Sequence, residues 1–293
     1  MDNLFWQIET AAKGRALRSS EADSFRTCVS KTAGSVSGIM STKTVGSTRR
    51  YSMARILIVL SGSDHWTLSD GTRHPTGFWA EEFVEPHRTF RHAEVDVDIA
   101  TPGGVRPTVD QVSLAPDRAG GEERAAELRS YLESLQHELA APMSVEHAAE
   151  NLGNYDAVFI PGGHGPMEDL PDCRPLGRIL AGLFDTGRVV AAVCHGPAGL
   201  LAARREDGTW LFAGRRLTGF TNEEERQGGL ADRAKWLLET RLREEGADFD
   251  QGQPRSSHVV VDGRLVTGQN PASSKQAAER TLAVLMAAQS PQS

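Results

Sequence analysis

Cysteine is scarce in this chain. Its three cysteines in 293 residues, Cys28, Cys173 and Cys194, stand far apart. That spacing excludes a disulfide scaffold, and no Cys-x-x-Cys pair offers a structural zinc site. Such usage fits a reducing compartment and implies a cytoplasmic protein. Long apolar runs are missing too: nothing nears the ~20 residues that a membrane-crossing helix needs. The first eleven residues carry Asp2 and Glu9 and lack the sustained apolar core of a secretory leader. Cationic excess is absent as well. A net charge of −7 leaves no basic field for nucleic acid, and Lys and Arg nowhere cluster with interleaved aromatics. No internal repeat is visible.

Residues 1–52 are rich in Ser, Thr, Arg and Lys, poor in aliphatics, and without clean periodicity. They read as a flexible N-terminal tail. A transit-like segment is the second reading, and its acidic residues weigh against it. Met53 directly precedes the first strong strand, so the folded protein is expected to start there, with a single domain over 54–290.

From Ala54 onward, short aliphatic runs alternate with longer amphipathic stretches, the pattern of an α/β domain with a mainly parallel sheet. Buried strands are expected at 55–60, 156–160 and 189–193, and a strand near an edge at 94–100, where apolar and polar residues alternate. The last strands fall at 258–261 and 265–267. Helices are expected over 77–91, bent or ended by Pro86, and over 122–139, where Leu128, Leu132, Leu135 and Leu139 share a face. Further helices are read at 174–185, 223–245 and 272–288, and a short hairpin at 211–220.

The most informative position is Cys194, between the apolar run 189–193 and a helix-compatible segment, 196–203. A thiol on a strand-to-helix turn is held in a tight bend facing the positive end of the following helix. Amide donors and that dipole favour thiolate, which disposes the sulfur to act as a nucleophile. His195 supplies an adjacent base. An inert half-buried cysteine is the alternative, and the turn glycine, the histidine and the strand–helix context argue against it.

In an open α/β sheet, reactive groups gather at the C-terminal ends of the strands. After the first strand come Asp64, His65 and the segment 77–82; after Ile160 comes Gly162-Gly163-His164-Gly165. Gly162 and Gly163 allow close backbone approach, and their amides, with that of His195, could hold a developing oxyanion. His164 belongs to the same substrate-binding loop. Glu82 lies in a neighbourhood too apolar for three free carboxylates. If buried, it would have a raised pKa and could share a proton with the thiol; a helix-face salt bridge is the competing reading. Glu225 could orient His195, but three adjacent glutamates leave Glu223, Glu224 and Glu225 undistinguished beside a solvated helix turn. His87 and His92, five residues apart rather than four, read as surface residues and not as a zinc pair.

These words occur in an order that resembles the PfpI-type superfamily, which shares the class I glutamine amidotransferase fold. The resemblance is greatest to its heat-shock chaperone and glutathione-independent glyoxalase (glyoxalase III) branch. It rests on Thr76-Gly77-Phe78-Trp79-Ala80-Glu81-Glu82, Pro161-Gly162-Gly163-His164-Gly165, Ala191-Ala192-Val193-Cys194-His195-Gly196-Pro197-Ala198 and the stretches 217–225 and 262–273, and covers 54–288. The resemblance implies a flavodoxin-like, doubly wound, mainly parallel sheet with helices on both faces and a nucleophile elbow. It implies Cys194 as nucleophile, His195 as its base, Glu225 as the acid orienting the histidine, and Glu82 as the glutamate against the sulfur. It implies conversion of methylglyoxal to D-lactate without glutathione, a small-molecule dicarbonyl substrate, no cofactor, no metal, and a homodimer. Protein deglycase and chaperone activities are attached to the same branch and the same thiol. The larger zinc-binding chaperone type has insertions and ligands with no convincing match here.

Three other functions compete. A glutamine amidotransferase would place a His-x-Glu pair near the C-terminus, and His258-Val259-Val260 offers no acid. An intracellular cysteine peptidase would use the same elbow. A non-catalytic holdase would leave the thiol as a redox sensor.

Overall fold

The computed structural model describes residues 54–289; the 1–52 tail assignment and Cys28 lie outside the described residues. The strands are β1 (Arg55–Val59), β2 (His65–Thr67), β3 (Arg73–Pro75), β4 (Asp96–Thr101), β5 (Met143–Ser144), β6 (Ala157–Ile160), β7 (Val189–Val193), β8 (Arg216–Leu217), β9 (Asp248–Phe249), β10 (Val259–Asp262) and β11 (Leu265–Gly268). The α-helices are α1 (Ala80–His92), α2 (Pro116–Ala119), α3 (Glu122–Ser134), α4 (Gln136–Ala140), α5 (Val145–Glu150), α6 (Pro166–Asp169), α7 (Arg174–Asp185), α8 (Asn222–Gly228), α9 (Leu238–Glu244) and α10 (Ser274–Gln289).

Seven strands form the main sheet in the order β10-β11-β7-β6-β1-β4-β5. All pair in parallel except β10, which returns antiparallel on β11 across a tight turn. The strand order reverses at β1, with β4 on one side and β6 on the other, which opens a crevice at the carboxyl ends of the central strands.

The apolar runs of the sequence are continuous because the sheet is covered twice. Alternate residues of each central strand enter opposite cores. Leu57, Val59, Val158, Ile160, Val190 and Ala192 join α5 and α7 on one face. Ile56, Ile58, Phe159, Ala191 and Val193 join α1, α3 and α10 on the other. Each fully buried aliphatic or aromatic side chain contributes about 1.5–3 kcal/mol, so the strands that carry the site are firmly held from both faces.

Four local expectations are corrected. The hairpin at 211–220 does not form; β8 instead pairs in parallel with the distant β9. The helix expected over 223–245 is two helices, because Gly229 takes a left-handed φ of 80° and ends α8. The helix over 122–139 breaks at Leu135 into α3 and α4. The segment after Cys194 is a 3-10 helix, Gly196–Ala202, and not an α-helix. Pro86, by contrast, neither ends nor divides α1, which runs through it. Among the described residues, no helix is long and apolar enough to cross a membrane.

Candidate active site

Cys194 follows the last residue of β7 with φ 60°, a left-handed conformation that a side-chain-bearing residue adopts at a cost. Neighbouring backbone fixes that bend: the Cys194 amide donates to the Gly268 carbonyl at 2.9 Å, and the Phe220 amide donates to the Cys194 carbonyl at 2.8 Å. The elbow is thus tied to the end of β11 and to the segment leading into α8. Its side chain is almost fully buried, 3% exposed, at the edge of a cavity of about 440 Å³.

On one side of the sulfur lies Glu82, in the first turn of α1 and wholly buried. Its Oε2 accepts the Gly162 amide at 2.7 Å. Its Oε1 has no other partner, and the carboxyl lies against the Cys194 thiol. The neighbouring glutamates of the same turn are accounted for differently. Glu81 sits 3.6 Å from Arg124, and Glu85 pairs with both Arg124 and Arg88. Glu81 reaches the cavity lining but is matched by Arg124, and of the three only Glu82 lies against the sulfur.

On the other side, His195 Nδ1 is 3.4 Å from the sulfur, and its Nε2 is 2.8 Å from Glu225 Oε2. An ionised carboxylate only accepts, so Glu225 holds the proton on Nε2 and leaves the Nδ1 lone pair facing the thiol. The second oxygen of Glu225 is 2.9 Å from His164 Nε2. One carboxylate therefore bridges two imidazoles, whose rings are 4.2 Å apart. Aromatic rings clamp this pair: Trp66 stacks on His164 at 4.9 Å, and Phe220 lies 4.4 Å from His195.

The three adjacent glutamates are separated by the start of α8. Thr221 caps the helix reciprocally with Glu224. The Glu224 carboxylate then accepts Gln269 Nε2 at 3.0 Å, Asn270 Nδ2 at 2.7 Å and the Arg255 amide at 2.8 Å. Glu223 stays outside, paired with Arg226. With Glu224 pinned by its cap, the next residue, Glu225, is left to face His195.

Burial sets the protonation states. It pushes the Glu82 carboxyl well above the usual carboxylate range. It also pushes the Cys194 thiol up, and the Glu82 charge adds to this. The pair therefore retains a proton between them. This corrects the expectation of a thiol depressed by a helix dipole: burial and a nearby carboxyl dominate where only a short 3-10 segment follows. Burial lowers the His195 pKa, aided by His164 and opposed by Glu225. Burial would raise Glu225, but the imidazoles of His195 and His164 outweigh it and hold that carboxyl well below the usual range.

Gly163 has φ 90°, and a Cβ there would meet the Gly77 carbonyl at 2.4 Å and the Trp79 amide at 2.7 Å. Its amide lies beside the Cys194 sulfur and favours the ionised thiol. Gly162 plays a different part from the one expected: its amide is taken by Glu82 and is not offered to an oxyanion.

Other expectations fall away from the site. Asp64 and His65 contact each other and Arg73 on an exposed edge. His87 is buried rather than superficial, with Nδ1 3.0 Å from the Tyr131 hydroxyl. His258 faces Asp250 at 3.5 Å. Sequence reasoning missed Trp66, Phe220, Gln269 and Asn270 as parts of the site. Phe220, Gln269 and Asn270 lie inside matched motifs, and that was the available signal. One ring nitrogen each of His164 and His195 and a Glu225 oxygen lie within 4.8 Å of one another, a donor set of the type that can hold a divalent cation.

The sequence model of the DJ-1/PfpI family matches residues 75–283. The chain belongs to the DJ-1/PfpI family. Among its relatives in that family is the Candida albicans protein named glyoxalase 3, 30% identical over 241 residues, spanning 79% of this chain and 98% of the relative. Another is the Saccharomyces cerevisiae protein named glutathione-independent glyoxalase HSP31, 32% identical over 239 residues, spanning 79% and 98%. The crystal structure of Candida albicans glyoxalase III superimposes with a TM-score of 0.67 at 29% identity, covering 80% of this chain and 98% of that one.

Proposed function

We propose that this member of the DJ-1/PfpI family is a glutathione-independent glyoxalase that converts methylglyoxal and related 2-oxoaldehydes to 2-hydroxy acids, with D-lactate as the product from methylglyoxal. The supporting observation is the convergence of Glu82 and His195 on opposite sides of the strained Cys194 elbow. The relatives that bear glyoxalase names point the same way.

Each residue has a step that suits its surroundings. The sulfur attacks the aldehyde carbon C1, forming a C–S bond while the carbonyl electron pair moves to oxygen and takes a proton, giving a hemithioacetal. Glu82, buried and proton-sharing, removes the C1 proton and returns it at C2 through an enediol, the role a carboxyl of raised pKa suits. C1 is thereby oxidised to a thioester and C2 reduced to a carbinol, so no external redox partner is needed. His195, neutral and oriented by Glu225, draws a proton from water, which attacks the thioester and releases the hydroxy acid and the thiol. The Gly163 amide, beside the sulfur, stabilises negative charge there.

Cys173 and Cys194 are both unpaired, which supports function in a reducing compartment such as the cytoplasm. A homodimeric state is inferred from family likeness alone.

The test is product analysis of methylglyoxal incubated with the protein in glutathione-free buffer. D-Lactate is expected. Ammonia from glutamine or cleavage of a peptide, with no lactate, would replace this reading with the amidotransferase or the peptidase.

A further inference from the structure

The cavity at Cys194 measures about 440 Å³. Pockets of ~300–1,000 Å³ enclose drug-sized ligands, so a three-carbon dicarbonyl would leave most of this space unfilled. Its lining includes the reacting Cys194 and His195 and also Arg255, Asn270 and Arg118.

The charges around this lining are engaged, with one exception. Glu81 is matched by Arg124 at 3.6 Å, and Asp117 by Arg118 at 3.5 Å. Glu224 is saturated by hydrogen bonds from Thr221, Gln269, Asn270 and the Arg255 amide. Of these lining charges, the guanidinium of Arg255 is the one with neither an ion pair nor a hydrogen bond to the described residues. Yet the residue is held in place. Its backbone has φ 61°, and its amide donates to Glu224 Oε1, the oxygen that also receives Asn270 Nδ2. Arg255 is exposed at the rim of that cavity, and a strained backbone anchored by a buried carboxylate keeps an unmatched cation there, which marks a ligand contact.

We propose, resting on the glyoxalase reading above, that the preferred substrates are 2-oxoaldehydes bearing a carboxylate at the end remote from the aldehyde, and that Arg255 is the residue that binds it. Reaction occurs at C1 and C2 as before, and the distal carboxylate is unchanged. Arg255 acts as a specificity determinant, with five donors fixed in a fork that matches a carboxylate. Glu224 acts as the positioning residue that holds it.

The experiment compares kcat/KM for 4,5-dioxopentanoate with kcat/KM for 2-oxohexanal, an uncharged chain of similar length, in glutathione-free buffer. The wild-type protein is expected to prefer the carboxylate by about ten- to a hundredfold, the worth of a charge-assisted hydrogen bond. Arg255→Met is expected to bring that ratio near one, while Arg255→Lys, which keeps the charge and loses the fork, retains only part of it. Because the readout is a ratio within one preparation, a general loss of activity cancels. A wild-type ratio near one, or a ratio unchanged in Arg255→Met, overturns the proposal even if methylglyoxal is turned over. If the wild type consumes neither test aldehyde nor methylglyoxal, the glyoxalase reading fails and this inference with it.

Discussion

Glu82 and Cys194 share a sealed corner of the protein: the carboxyl has one oxygen on the Gly162 amide and the other with only the thiol to engage. A lone charge there is expensive, so the two groups keep a proton between them, and reactivity depends on which of them holds it.

Replacing Glu82 by Gln separates two effects. Turnover of methylglyoxal should fall by about 10²–10⁴-fold, the range for a lost general acid–base group. The thiol should nevertheless ionise more easily, because the charge that raises it has gone. Alkylation of Cys194 by iodoacetamide, followed against pH by peptide mass spectrometry, should show a lower midpoint in Glu82→Gln than in the wild type. An unchanged or higher midpoint would contradict the shared-proton account.

Burial holds the His195 pKa below the ordinary 6.5, so the ring stays neutral, and able to accept a proton, to lower pH than a free histidine. Its imidazole NMR resonance should therefore titrate below pH 6.5. Glu225 opposes that shift, so Glu225→Gln should move the midpoint lower still while reducing kcat by roughly 10²-fold or more. A midpoint that moves upward in the variant would show that Glu225 does not act on His195.

Gly163→Ala should unfold more readily. The new methyl group meets two backbone atoms, and an alanine at φ 90° is strained whatever the space. A loss of about 2 kcal/mol or more is expected, or roughly 4–8 °C in melting temperature for a domain of this size. Scanning calorimetry measures it directly. A variant as stable as the wild type would mean the loop yields.

Glu224→Ala should also destabilise, by ~3 kcal/mol or more, since it orphans the buried donors of Gln269 and Asn270 and breaks the α8 cap. Chemical denaturation checks this, and a change below about 1 kcal/mol would argue that water replaces the carboxylate.

The central strands were legible in the sequence because a strand covered on both faces is apolar at every position, as in 156–160 and 189–193. The elbow was legible because a thiol and an imidazole sit beside a glycine at such a strand end. What the sequence left open depended on orientation. Nothing local distinguishes Glu223, Glu224 and Glu225; the reciprocal Thr221–Glu224 cap does, and its direction is set by Gln269 and Asn270, some 45 residues away. The long helix over 223–245 could have been shortened from sequence, since Gly228-Gly229 is a terminator, but its charged pattern masked the stop. The apparent hairpin at 211–220 failed because β8 finds a partner that no nearby sequence announces. Trp66 supports His164 through stacking across the fold, a contact with no local signature.

The most direct test of the account is glutathione-free methylglyoxal consumption by the wild-type protein and by Cys194→Ala, with D-lactate quantified in both. Steady D-lactate formation by the wild type and none above background in the variant is the predicted result. Equal D-lactate formation by the two proteins would contradict it.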